Sequence, residues 1–160
     1  MLQTHDLHVT LDAEAGLVRA LDGLSLTLER GETFALVGES GCGKSMTALA
    51  LMRLLPDNGR IEQGSVDLGT DVPDGKPTEL LYLPECEMRR IRGGHAGIIF
   101  QEPATSLNPV MRVGDQIVEA IEAHTSLRGV AARRKAVDWL RRVGIPEPER
   151  RINSYPFEMS

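Results

Sequence analysis

The sequence predicts an α/β protein: an N-terminal antiparallel β layer, two strands of parallel-sheet character and two amphipathic helices after them. Three observations carry this. Apolar and polar residues alternate through the N-terminal stretch. Two continuous apolar runs, TFALV (33–37) and HAGIIF (95–100), have the character of strands buried on both faces. Two amphipathic helical patterns fill the stretch after residue 110.

Taken in order, Leu7–Leu11, Leu17–Leu21 and Ser25–Glu29 read as three short strands, the last with Leu24, Leu26 and Leu28 on one face. TFALV then feeds a glycine-rich turn. Ala48, Leu51, Met52 and Leu55 recur at helical spacing until Pro56 stops the pattern, which predicts strand, loop, helix. The Pro, Gly and Asp cluster at Gly69–Thr78 predicts a surface loop, and a short helix is expected over Glu85–Arg92. HAGIIF is the second buried-strand candidate, and QEPATSLNP (101–109) is a loop whose prolines hold their predecessors extended. Of the two final helices, one places Val113, Ile117, Ala120, Ile121 and His124 on a face. The other does so with Ala132, Ala136, Val137, Leu140 and Val143 and ends near Gly144 and Pro146.

The chain has 160 residues, 41% of them hydrophobic and 26% charged, enough to bury a sizeable core. No apolar run approaches the roughly 18 to 20 residues that a bilayer span needs, and His5 and Asp6 stand where a signal peptide would be greasy, so a cytoplasmic location is expected. Cys42 and Cys86 are too few for a disulfide framework. The net charge of -5 is uneven: residues 1–88 hold 6 basic and 15 acidic groups, residues 89–160 hold 12 and 8. With 2 Tyr and 3 Phe there is little to stack bases on, so the arginines read as solvated helix faces and no nucleic-acid partner is expected.

Gly38–Ser45 reads GESGCGKS and satisfies GxxxxGK[ST], with a buried-strand candidate before it and an amphipathic helix after it. Such a loop turns backbone N–H groups toward phosphate oxygens. Gly38, Gly41 and Gly43 supply the turns, while Glu39, Ser40, Cys42 and Met46 contribute backbone. Lys44 is expected to reach the β and γ phosphates of ATP, and the Ser45 hydroxyl is a suitable hard ligand for Mg²⁺. Cys42 reads as a small residue tolerated in the loop, since no histidine is placed to activate a catalytic thiol; its alkylation is expected to obstruct the nucleotide. The four histidines, His5, His8, His95 and His124, have no metal-ligand spacing.

An ATPase of this kind also needs a carboxylate at the end of an apolar strand to hold Mg²⁺ and polarise water. GIIFQE (97–102) imitates that pattern, with Glu102 in the position of the base, but Gln101 stands where aspartate is required, and no other apolar run in the chain ends in Asp-Glu. Gln101 then reads as a neutral side chain that contacts Mg²⁺ and water when γ-phosphate is present.

GESGCGKS, IIFQEPATSLNP and YPFEMS, in this order and spacing, resemble the Walker A motif, the Q-loop and the approach to the signature motif of ABC transporter ATP-binding subunits. The Q-loop wording is similar to the branch importing oligopeptides, dipeptides and nickel. The resemblance runs from about Leu2 to Ser160 and implies a P-loop NTPase fold. It implies a nucleotide-binding core with the β layer over 1–110 and part of the α-helical subdomain over 111–160. It makes Gly38–Met46 and Gln101 the nucleotide contacts, and Ser45 with Gln101 the Mg²⁺ contacts. The implied partners are a second ATP-binding subunit, membrane permease subunits reached through the Q-loop, and indirectly an extracytoplasmic solute-binding protein. The implied location is the inner face of the cell membrane.

In that family YPxxLS continues into the signature glycines, so Ser160 is expected to be the signature serine, with Met159 where leucine is usual and the chain cut within the motif. The Walker B carboxylates, D-loop and switch histidine have no counterpart in these residues. The 160-residue chain is therefore expected to bind MgATP without turning it over, and to expose apolar sheet surface. The family's adenine-stacking aromatic is also missing near Ala15–Val18. Two other readings stay open: a non-enzymatic nucleotide-binding or assembly module, and a non-transport P-loop ATPase.

Overall fold

A computed structural model describes residues 1–69, 77–101 and 106–159. The chain divides into two compact units, Met1–Ile98 and Ile99–Ser160. Each is a separate body.

The first unit is built on a four-stranded antiparallel sheet with strand order β2-β1-β3-β4. Its strands are β1 (Leu2–Ala13), β2 (Gly16–Leu28), β3 (Gly59–Leu68) and β4 (Thr78–Glu79). β1 and β2 form a hairpin registered from Leu2↔Leu28 to Ala13↔Gly16, and β3 pairs along the other edge of β1 from Leu2↔Leu68 to Leu11↔Gly59. The three short strands expected at the N-terminus are thus two long ones. The register shifts that made them look separate are bulges around Asp6 (φ 47) and Gly23 (φ 79). Thr4 mends the ladder there: its buried hydroxyl donates to Leu24 O (3.2 Å) and accepts from Leu26 N (3.0 Å).

Sequence reading missed β3. Its apolar positions are Ile61, Val66 and Leu68, and the first two lie five apart and break a period of two, because Gly64 (φ 109) inserts a bulge against β1. One face of the sheet is covered by α1 (Lys44–Leu51) and α2 (Glu85–Gly94). Leu7, Val9 and Val66 are fully buried in this core with Ala50, Leu80, Met88 and Ile91 around them, each large apolar side chain contributing about 1.5–3 kcal/mol. α1 is shorter than its apolar spacing predicted. It stops at Leu51 because Arg53 takes a left-handed φ of 51.

The runs expected as buried parallel strands are not strands. Residues 31–40 are all exposed and no strand among the described residues pairs with 33–37, while 95–100 carries one isolated bridge, Arg92↔Ala96. Val37 is 92% and Ile99 94% exposed. A parallel strand needs neighbours to receive its N–H and C=O groups, and among the described residues none is aligned to do so.

The second unit holds α3 (Val113–His124), α4 (Gly129–Arg142), α5 (Pro148–Arg151) and a 3-10 turn over Pro156–Glu158. Ile121, Ala132, Ala136, Leu140 and Ile152 form its core. Ala120, His124 and Val143, expected on the packed faces, are exposed instead. The approach to residue 160 is ordered: Tyr155 and Phe157 stack with ring centroids 5.7 Å apart, Tyr155 N donates to Glu158 Oε2 (2.8 Å), and Arg151 donates to Glu158 O (2.6 Å). Glu102, Ser160 and most of the Gly69–Thr78 loop lie outside the described residues.

Candidate functional site: a phosphate-binding loop

Gly38–Met46 forms one loop-and-helix unit against β2. Gly43 is the residue preceding α1 and has φ 93; a β-carbon there would come within 2.4 Å of Ala20 O, so only glycine permits this approach. A β-carbon on Gly38 would lie 2.6 Å from Cys42 Sγ, so that side chain would have to turn away. No side chain caps the start of α1 and its first turn holds no acidic residue. The N–H groups of that turn therefore have no side-chain acceptor within the helix end, which is the situation that suits an anion.

Lys44 lies along the inside of the loop. Its ammonium donates to Gly38 O (2.8 Å) and Glu39 O (2.6 Å) and approaches Cys42 Sγ (3.4 Å). A cation is thus fixed by two loop carbonyls beside the start of α1, at the positive end of the helix dipole. Ser45, next on the first turn, is exposed, and its hydroxyl is a hard oxygen of the kind Mg²⁺ takes beside phosphate and water ligands. The donor set and the cradle fit a polyphosphate with Mg²⁺. Gln101 belongs to the second unit, follows the exposed Ile99 and Phe100, and is itself exposed.

Sequence reading missed what holds the far end of α1. Arg92 donates from Nε to Met52 O (2.8 Å) and from Nη2 to Arg53 O (3.0 Å), so its guanidinium caps the helix terminus, and its Nη1 reaches Glu85 Oε1 (2.7 Å). Arg53 in turn donates to Leu80 O (3.1 Å) and Leu83 O (2.6 Å). The hydrogen bond from Arg92, with the charges of Arg92, Arg53 and Arg89, holds the Glu85 carboxyl below its ordinary value. No local pattern signals this network, because the partners lie about forty positions apart in the chain.

A glycine-rich loop leading into a helix within a mixed α/β architecture is the arrangement of the P-loop class of proteins. The chain belongs to the ABC transporter family, whose family model matches residues 21–160. It is 43% identical over 160 residues to the oligopeptide transport ATP-binding protein OppD of Bacillus subtilis, covering 100% of this chain and 43% of that protein. It is 42% identical to the dipeptide transport ATP-binding protein DppD of the same organism, covering 46% of it. The chain thus spans less than half the length of these curated relatives. Among solved structures, the dimeric form of MJ0796, a bacterial ABC transporter cassette, shares the fold with a TM-score of 0.78 at 22% identity, covering 100% of this chain and 63% of that one. A post-hydrolysis state of the same cassette bound to ADP and Pi matches with a TM-score of 0.79 at 21% identity.

Proposed function

We propose that the chain binds MgATP through Gly38–Met46 and Gln101, and that the whole protein hydrolyses ATP to drive peptide uptake across a membrane. The observation that carries the nucleotide half is the Lys44 ammonium fixed inside the loop by Gly38 O and Glu39 O, beside an uncapped helix start. Lys44 neutralises β and γ phosphate charge, the loop N–H groups hold phosphate oxygens, and Ser45 orients the cation. Bound Mg²⁺ supplies further charge neutralisation at the phosphates. Gln101 senses the γ-phosphate and lies at the head of the segment that faces the membrane subunits.

The peptide half rests on the relatives, which carry oligopeptide and dipeptide transport in their names. The partners on this reading are a second ATP-binding subunit, permease subunits and, indirectly, a solute-binding protein, with the protein peripheral on the inner membrane face. No helix among the described residues is long and apolar enough to cross a membrane. A binding-only reading applies to residues 1–160 taken alone, since no apolar run in them ends in Asp-Glu to supply the hydrolytic carboxylates.

Titration with MgATP, wild type against Lys44→Ala, tests the site. Loss of one charge-assisted phosphate contact is expected to weaken binding by about tenfold or more. Equal affinity in the two proteins removes the loop from the binding site. Steady phosphate release by residues 1–160 that disappears in Lys44→Ala would overturn the binding-only reading.

A further inference from the structure

We infer that Gln116 is a positioning residue that fixes the exit of the segment following Gln101 and ties it to the ordered approach to residue 160. The inference deepens the transport reading above and rests on it.

Asn108 begins a tight turn. Its Oδ1 accepts from Val110 N (3.1 Å), its carbonyl accepts from Met111 N (3.2 Å), and Pro109 sits at the position where a fixed φ favours the turn. The turn is held from outside by one side chain. Gln116 Oε1 accepts from Asn108 N (2.8 Å), while Gln116 Nε2 donates to Asn108 O (3.0 Å) and Met111 O (3.1 Å). Both backbone polar groups of Asn108 are thus paired with a single amide. A primary amide is the one neutral group that offers an acceptor and two donors in a plane.

Gln116 stands in the first turn of α3, and that turn is anchored in its own right. Val113 N donates to Ser154 O (2.9 Å) and Gly114 N to Ile152 O (2.9 Å). At Gly114 the approach is so close that a β-carbon would meet Ile152 O at 2.4 Å. The turn at 108–111, the start of α3 and the strand of chain at 152–154 leading into the Tyr155–Phe157 stack are therefore joined by hydrogen bonds through one helical turn. Val110, at the tip, is 79% exposed. The clip also borders the unit's apolar core, because Ile152, whose carbonyl receives Gly114 N, is one of its buried residues. Its effect is to make the Gln101 segment's exit and the 152–159 segment move together, which is the coupling that a γ-phosphate sensor on this segment needs.

Two variants separate the chemistry from the shape. Gln116→Leu keeps the volume and removes all three hydrogen bonds. Gln116→Glu is isosteric but turns the donor side into an acceptor facing two carbonyl oxygens, and only its protonated form can donate again. In the full-length subunit assembled with its permease, amide exchange at Val110 and Met111 is expected to rise about tenfold in both variants. Substrate-stimulated ATP hydrolysis is expected to fall about fivefold or more, with MgATP affinity within about twofold of wild type. In Gln116→Glu, protection corrected for intrinsic exchange should partly return as pH is lowered toward about 5, since the carbonyls raise that carboxyl's pKa; Gln116→Leu should show no such return. Unchanged exchange, or altered exchange with full substrate stimulation, overturns the inference. A wild-type protein that binds MgATP but is not stimulated by substrate overturns the transport reading itself.

Discussion

Gly43 packs so tightly against Ala20 that a β-carbon on Gly43 would lie 2.4 Å from the Ala20 carbonyl oxygen. This contact seats the phosphate-binding loop on β2. Gly43→Ala combines a backbone collision with a side chain at φ 93, and is expected to cost about 1–3 kcal/mol of stability and to displace the start of α1. Thermal unfolding with and without MgATP checks both effects. A variant with wild-type stability and affinity would show that β2 does not seat the loop.

Cys42 Sγ lies 3.4 Å from Lys44 Nζ, inside the turn. An alkyl group on that sulfur competes with the lysine for space, and on the proposed reading with the phosphate too. With Cys86→Ser as background, since Cys86 is also exposed, complete alkylation at Cys42 is expected to abolish measurable MgATP binding, and saturating MgATP to slow the alkylation. Unchanged affinity after full modification would sink this expectation.

Glu85 carries a lowered carboxyl pKa, chiefly through the hydrogen bond from Arg92. A depressed folded-state value means that its contribution is complete above the unfolded value near 4.5 and is lost as pH falls through the folded value. Stability should therefore decline below about pH 4.5 more steeply in wild type than in Glu85→Gln. Parallel pH dependence in the two proteins, followed by denaturant unfolding, would remove Glu85 from the bracing of α1.

Val18 on β2 is 48% exposed and lies two positions before Ala20, within the stretch where the resemblance implies an adenine-stacking aromatic. Aliphatic packing on a base is weaker than stacking, worth about 1–3 kcal/mol per base. Val18→Tyr is expected to tighten MgATP by about threefold to tenfold while leaving inorganic triphosphate binding unchanged. Equal tightening of both ligands would place the new ring away from the base.

The residues that touch one another through short stretches of chain were legible in the sequence. GESGCGKS follows from the spacing of three glycines, a lysine and a serine, and α3 and α4 follow from apolar residues recurring at helical intervals. Amphipathic periodicity and loop chemistry are local, so composition and order suffice to state them. The tertiary structure decided what depends on distant partners. Gly64 bulges β3 against β1 and hides its alternation, and TFALV and HAGIIF have strand composition but, among the described residues, no aligned strands to pair with. Arg92 caps α1 from some forty positions away, and Gln116 closes a turn whose atoms it does not share. Strand pairing, helix capping by a remote guanidinium and amide clips each satisfy backbone groups with atoms brought near only by folding.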